Sequence, residues 1–106
     1  MGFLAVIKFV GLVLFAYLLG SVPWGLILTQ KFSSVDIRQT GSGNIGATNV
    51  KRTAGTTLGV LTLLADMLKG ALPVWLAIRM NGYSDFWSEA YVALVAVSAF
   101  FGHLYP

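Results

Sequence analysis

Three long apolar segments alternate with shorter polar segments along the chain. They run from about residue 3 to 28, from 55 to 78 and from 87 to 104, and Lys8 is the only charge in the first. As helices rising 1.5 Å per residue, segments of this length can cross a bilayer core about 30 Å thick. The pattern predicts an all-α, polytopic membrane protein, with about three transmembrane helices in a single membrane domain over residues 1–106.

A secretory signal peptide is the competing interpretation of the first segment. The apolar region of a signal peptide is about 7–15 residues long and ends at a cleavage site with small residues. The segment 3–28 is far longer, and it continues past Pro23 into further apolar residues. A membrane span with a kink at Pro23 is therefore predicted, because proline removes a backbone donor from the helix.

The second apolar segment contains two charges and a pair of small residues. Asp66 and Lys69 are three residues apart, so on a helix they share one face and are predicted to form a structural ion pair. Gly55 and Gly59 have the spacing that lets helices approach closely. The pattern leaves open whether this helix is interrupted near Lys69.

The composition excludes an ordinary soluble domain. Hydrophobic residues make up 57% of the chain and charged residues only 10%, whereas soluble domains carry about 25% charged residues. The same apolar content excludes intrinsic disorder. The chain has no cysteine, which rules out disulfides, a thiolate zinc site and a cysteine nucleophile. No metal and no cofactor is expected.

The basic residues predict an orientation in the membrane. Four of the seven lie in the polar segment 29–54: Lys31, Arg38, Lys51 and Arg52. Because positive residues favour the cytoplasmic side, this segment is expected in the cytoplasm and the N-terminus outside. The third helix would then bring His103 to the same membrane face as the segment 29–54.

The residues from 41 to 52 have the composition of a phosphate-binding loop. Three glycines within six residues permit backbone conformations in which successive N–H groups turn inward as an anion-binding nest. Neutral donors lie between and after them, and Lys51 and Arg52 follow with full positive charge, arginine being suited to bidentate phosphate contacts. A flexible glycine-rich connector is the alternative interpretation.

Two familiar nucleotide-binding motifs do not fit this loop. The spacing of Gly41, Gly43 and Gly46 matches the dinucleotide fingerprint, but that motif follows a strand within a βαβ unit, and here an apolar helix precedes it. The P-loop requires lysine after its last glycine, where this chain has Ala47.

The glycine segment resembles a known family. Residues 41–50, followed by Arg52, resemble the first signature of the bacterial acyl-phosphate-dependent glycerol-3-phosphate acyltransferases. Four further stretches resemble the same family in the same order: residues 17–25, 36–38, 64–70 and 102–106.

The resemblance implies an acyltransferase of phospholipid biosynthesis in the bacterial inner membrane. Such an enzyme would transfer an acyl group from acyl-phosphate to the 1-hydroxyl of glycerol 3-phosphate, giving lysophosphatidic acid. Its partners would be these substrates and the bilayer, not nucleic acid. Residue by residue, the resemblance implies that Ser42, Asn44 and Arg52 contact phosphate or the reacting carbonyl. His103 would contact glycerol phosphate or transfer a proton. The residues implied to bind substrate phosphate are Gly41, Gly43, Gly46, Thr48, Asn49 and Lys51, of which Thr48 and Asn49 hold the loop.

Two other functions remain open from the residues alone. Members of the resembled family continue past the signature at 102–106, so the chain is expected to be incomplete at its C-terminus. A truncated, non-catalytic membrane protein that binds phosphate or anionic lipid is one alternative. A small multi-helix transporter is the other, and it is disfavoured because the first span has no acidic residue to couple protons.

Overall fold

A computed structural model of the chain describes residues 2–105. These residues form five α-helices and no strand, which confirms the all-α prediction. The helices are α1 (Phe3–Gly20), α2 (Trp24–Phe32), α3 (Ala47–Ala54), α4 (Thr56–Asn81) and α5 (Phe86–Leu104), with one 3-10 turn at Ile37–Gln39. Met1 and Pro106, which fall within the predicted domain, lie outside the described residues.

Helices α1, α4 and α5 are long and apolar enough to cross a membrane, with 18, 26 and 19 residues. Large apolar side chains on all three are exposed, among them Leu18, Leu68 and Phe100. Contiguous apolar surface of this extent is rare on soluble monomers and marks membrane contact. The prediction of about three transmembrane helices is confirmed.

The predicted single helix over 3–28 is corrected to two helices, α1 and α2. Pro23 has no N–H to donate and disfavours the helical conformation of Val22 before it. The Val22 N–H donates to the Leu19 carbonyl at 3.2 Å, which tightens and ends α1, and the chain becomes helical again at Trp24. The kink expected at Pro23 is thus a full interruption.

The polar segment 29–54 contains more helix than the sequence indicated. It includes the end of α2, the 3-10 turn and all of α3. Helix α4 begins one residue later than predicted, continues to Asn81 rather than residue 78, and passes unbroken through Lys69 and Pro73. Helix α5 begins at Phe86, one residue before its predicted start.

A capping box fixes the start of α5. The Ser88 N–H donates to the Asp85 carboxylate at 2.8 Å, and the Asp85 N–H donates to the Ser88 hydroxyl oxygen at 3.2 Å. These bonds satisfy donors that a helix end leaves without a partner. Because the Ser88 backbone and hydroxyl groups both favour its charged form, the pKa of Asp85 is lowered from its ordinary value.

The described chain divides into two compact units, the first formed by residues 2–22 and 68–105. Here α1, α5 and the C-terminal part of α4 enclose an apolar core that includes Leu12, Ala77 and Val95. Two glycines let the backbones of α1 and α5 approach closely. A Cβ at Gly20 would collide with the Ala99 carbonyl. A Cβ at Gly102 would collide with the carbonyl of Tyr17.

The second unit comprises residues 23–67 and carries the glycine segment. Its core is formed by Ile37, Val50 and Leu58, from the 3-10 turn, α3 and α4. At Gly59 a Cβ would lie 2.5 Å from the Lys51 Cβ, so α3 and α4 approach closely at this point. This confirms the close packing predicted for Gly59. It does not hold for Gly55, which is the C-cap of α3 and where a Cβ would meet no atom within 4 Å.

Candidate functional site

The glycine segment forms a compact loop between the 3-10 turn and α3. The Gly43 N–H donates to the Thr40 carbonyl at 3.0 Å and closes a turn. Gly41 and Gly43 have φ angles of +60° and +75°, a region that side chains strongly disfavour. A Cβ at Gly41 would also collide with the amide oxygen of Asn49. Glycine is therefore required at both positions.

The side chain of Asn49 holds this loop together from within. It is 3% exposed. Its Oδ1 accepts a hydrogen bond from the Ser42 N–H at 3.2 Å, while its Nδ2 donates to the carbonyls of Thr40 at 3.1 Å and Asn44 at 2.8 Å. Both amide hydrogens are therefore used within the loop. The Thr53 hydroxyl donates to the Asn49 carbonyl at 2.8 Å.

Ser42 and Asn44 complete the loop and keep donors available. Asn44 Oδ1 accepts from the Gly46 N–H at 2.8 Å, and Ser42 Oγ accepts from the Asn44 N–H at 3.3 Å. Both side chains are exposed. In these bonds the two side chains act as acceptors, so the Ser42 hydroxyl hydrogen and the Asn44 amide hydrogens can donate to a ligand.

The loop leads directly into the N-terminus of α3. Gly46 is the N-cap, and the first bond of the helix runs from the Val50 N–H to the Gly46 carbonyl at 3.1 Å. The N–H groups of the first helical residues have no acceptor within the helix. Together with the aligned peptide dipoles, they give this end a partial positive charge that favours anions.

Two positively charged residues lie in the last turn of the same short helix. Lys51 and Arg52 are exposed on α3, and residues 40–54 contain no aspartate or glutamate. Within residues 2–105, no carboxylate is paired with the Arg52 guanidinium. A phosphate at this loop would meet several N–H and O–H donors, and the segment 40–54 adds two exposed cations and no acidic side chain.

Nine of the ten predicted site residues lie in the sequence stretch 41–52, within the unit of residues 23–67. The tenth, His103, is exposed in the last turn of α5, in the other compact unit. Thr40 and Thr53, which the sequence pattern did not single out, both bond to Asn49. One signal existed for Thr53, since it follows Asn49 by one helical turn, where a threonine hydroxyl commonly bonds the preceding turn.

Packing against α2 also supports the loop. A Cβ at Gly25 would collide with the Ile45 carbonyl, one residue before the N-cap of α3. The buried Thr29 hydroxyl donates to the Gly25 carbonyl at 2.8 Å within α2. The glycine is thus required for the contact between α2 and the loop.

The fold and the loop together define a class: a multi-pass, all-helical membrane protein with a basic, glycine-rich loop suited to phosphate. The glycerol-3-phosphate acyltransferase family matches residues 10–106. The chain belongs to this family.

Two curated relatives show the extent of the similarity. The glycerol-3-phosphate acyltransferase of Geobacter sulfurreducens is 57% identical over 90 residues, which cover 85% of this chain and 43% of the relative. The glycerol-3-phosphate acyltransferase of Syntrophotalea carbinolica is 54% identical over 95 residues, which cover 90% of this chain and 46% of that relative. The chain thus spans about half the length of the curated relatives it matches.

The fold is also similar to solved structures of PlsY, an integral membrane glycerol 3-phosphate acyltransferase. The glycerol 3-phosphate form superposes with a TM-score of 0.83 at 38% identity, covering 93% of this chain and 47% of that one. The lysophosphatidic acid form gives a TM-score of 0.81 at 37% identity.

Proposed function

We propose that this chain takes part in acyl transfer from acyl-phosphate to the 1-hydroxyl of glycerol 3-phosphate, which yields lysophosphatidic acid. The observation that carries the proposal is the glycine segment before the N-terminus of α3, which the buried Asn49 amide holds together by three hydrogen bonds. Arg52 is exposed on the same helix. The family membership and the likeness to the glycerol 3-phosphate form of PlsY support the same substrate.

The chemistry of the loop suits two phosphate-bearing substrates. Arg52 and Lys51 would neutralise phosphate, and the hydroxyl of Ser42 and the amide of Asn44 would orient it or stabilise the developing oxyanion. In the reaction, the 1-hydroxyl oxygen bonds to the acyl carbon and the carbon–oxygen bond to phosphate breaks. Acyl-phosphate is already activated, so positioning and charge neutralisation suffice without a nucleophilic side chain.

The remaining candidate residues take supporting roles in this proposal. Gly41, Gly43 and Gly46 would allow the backbone to approach phosphate, and the exposed hydroxyl of Thr48 would donate to it. Because both Asn49 amide hydrogens are already donated, Asn49 would position the loop rather than contact substrate. His103 would contact glycerol phosphate or move the proton released by the hydroxyl.

The location proposed for this reaction is the inner membrane of a bacterium. The loop would face the cytoplasm, and the N-terminus would lie outside. Four of the seven lysine and arginine residues lie in the segment 29–54, which supports this orientation.

Replacing Arg52 by alanine is expected to weaken glycerol 3-phosphate binding. Removing a charge-assisted contact costs about 1.5–3 kcal/mol, which corresponds to a roughly 10- to 100-fold higher Kd. Calorimetric titration of the chain in nanodiscs measures this. Arg79→Ala is the matched control, because Arg79 lies over the Trp75 ring near the end of α4, outside the segment 29–54. If both substitutions weaken binding equally, Arg52 contributes only nonspecific electrostatic attraction, and the proposed phosphate contact is contradicted.

A further inference from the structure

Lys69 is a buried charged residue in the middle of a membrane-spanning helix. It is 6% exposed, and its Nζ donates to the Val22 carbonyl at 3.0 Å, across 47 positions of the chain. Charged side chains at this depth are costly, and they persist where a specific partner or function retains them. The bond to Val22 therefore requires an explanation beyond the neutralisation of charge.

The carbonyl of Val22 lies between the last backbone hydrogen bonds of α1 and the first backbone hydrogen bond of α2. In a continuous helix it would accept from the N–H four residues later. Instead the α2 ladder begins with the Ile27 N–H, which donates to the Pro23 carbonyl at 3.0 Å. The Val22 N–H turns back to Leu19 at 3.2 Å. The Val22 carbonyl therefore takes part in the hydrogen bonds of neither helix, and it accepts from Lys69 instead.

The side chain of Ser21 also donates a hydrogen bond at this interruption. The Ser21 hydroxyl donates to the Leu18 carbonyl at 2.6 Å, so that carbonyl too has a side-chain partner. In an apolar environment an unpaired backbone carbonyl costs several kcal/mol, and interrupted membrane helices persist only where such groups find other partners. Ser21, at the C-cap of α1, and Lys69, on α4, therefore both donate to backbone carbonyls at this interruption.

We propose that Lys69 is a positioning residue that stabilises the interruption between α1 and α2 by donating to the Val22 carbonyl in place of the missing backbone donor. Lysine suits this task because its long stem packs against apolar groups while its terminal nitrogen provides several donors. The inference concerns the geometry of the span and is independent of the proposed reaction.

A double-mutant cycle between Lys69 and Pro23 tests this role. Lys69→Met removes the donor with similar volume, and it is expected to lower the Tm clearly in nanodiscs, whereas Lys69→Arg should keep most of the stability. Pro23→Ala restores an N–H at the interruption, so the helix can continue and Val22 can accept from Leu26. In the Pro23→Ala background, Lys69→Met should lower the Tm by less than half as much as it does in the native chain. An equal loss in both backgrounds would overturn the proposal.

The coupling must also survive removal of the neighbouring acid. Asp66 shares a helix face with Lys69, so a purely ion-pairing lysine would couple to Asp66 and not to Pro23. We expect the Lys69–Pro23 coupling to persist when the cycle is repeated with Asp66→Asn. If the Lys69–Pro23 coupling disappears in Asp66→Asn, Lys69 acts mainly through Asp66, and the proposal is contradicted.

An infrared measurement gives a second readout that depends on the hydrogen bond itself. An isotope-labelled carbonyl at Val22 is expected to absorb at lower frequency in the native chain and in Lys69→Arg than in Lys69→Leu or Lys69→Met, which have no donor. A label at Val10, within the regular ladder of α1, is the control and should not move. A Val22 band that is identical in all variants would overturn the proposal, even if one variant were too unstable to melt cooperatively.

Discussion

Replacing Asn49 by leucine is expected to collapse the glycine loop and remove glycerol 3-phosphate binding. The substitution keeps the side-chain volume but deletes three hydrogen bonds at once, to the Ser42 N–H and the carbonyls of Thr40 and Asn44. Because the site is buried, the backbone groups left behind find no water, and the loss of unfolding free energy should be about 2–4 kcal/mol. Thermal melting and calorimetric titration in nanodiscs measure the two effects.

Asn81→Leu is the matched control for this experiment. Asn81 lies at the end of α4, where its side chain is exposed and makes one bond, to the Ala77 carbonyl at 3.3 Å. We expect it to change stability by roughly 0.5 kcal/mol or less, as exposed substitutions usually do, and to leave glycerol 3-phosphate binding intact. Native-like binding by Asn49→Leu would show that the loop does not depend on its central amide.

Substitution of Gly25 by alanine is expected to be the most damaging single-methyl change in the residue 23–67 unit. The added Cβ would collide with the Ile45 carbonyl and lie 3.3 Å from the Thr62 methyl group. Neither neighbour is the end of a long flexible side chain, so α2 and the loop must move apart. Such overpacking costs about 1–3 kcal/mol or more. Melting temperatures report the loss, and weaker glycerol 3-phosphate binding should accompany it.

Gly70→Ala provides the same chemical change without the collision. No atom outside its own helix lies within 4 Å of the position that a Cβ would occupy at Gly70. Because alanine is the better helix former by up to about 1 kcal/mol, this variant should be as stable as the native chain or more so. Similar melting temperatures for the two alanine variants would contradict the close contact between α2 and the loop.

The membrane spans were predictable because the bilayer imposes a length that apolar segments must satisfy. The pattern therefore located α4 and α5 within a few residues. It also identified Pro23 as a point of disruption. It could not show that the chain restarts as a separate helix, since apolar residues continue on both sides of Pro23 and only the backbone hydrogen bonds reveal the break.

The loop was predictable in composition but not in its internal bonds. Glycines, neutral donors and a basic pair indicated phosphate, and all of these lie in one stretch. The burial of Asn49 depends on how α3 packs, which local residues do not reveal. The contact from Lys69 to Val22 is harder still, because 47 positions separate them, and spacing within α4 pointed only to Asp66.

The most direct test of the proposed function is acyl transfer by a chimaera. The matched stretch of the Geobacter sulfurreducens relative, 90 aligned residues at 57% identity, is replaced by that of this chain. Liposomes containing the chimaera then receive acyl-phosphate and glycerol 3-phosphate. We expect lysophosphatidic acid, with kcat/KM reduced about 10- to 100-fold by Arg52→Ala and little changed by Arg79→Ala. A folded, inserted chimaera that forms no lysophosphatidic acid, or whose rate is indifferent to Arg52, would contradict the account.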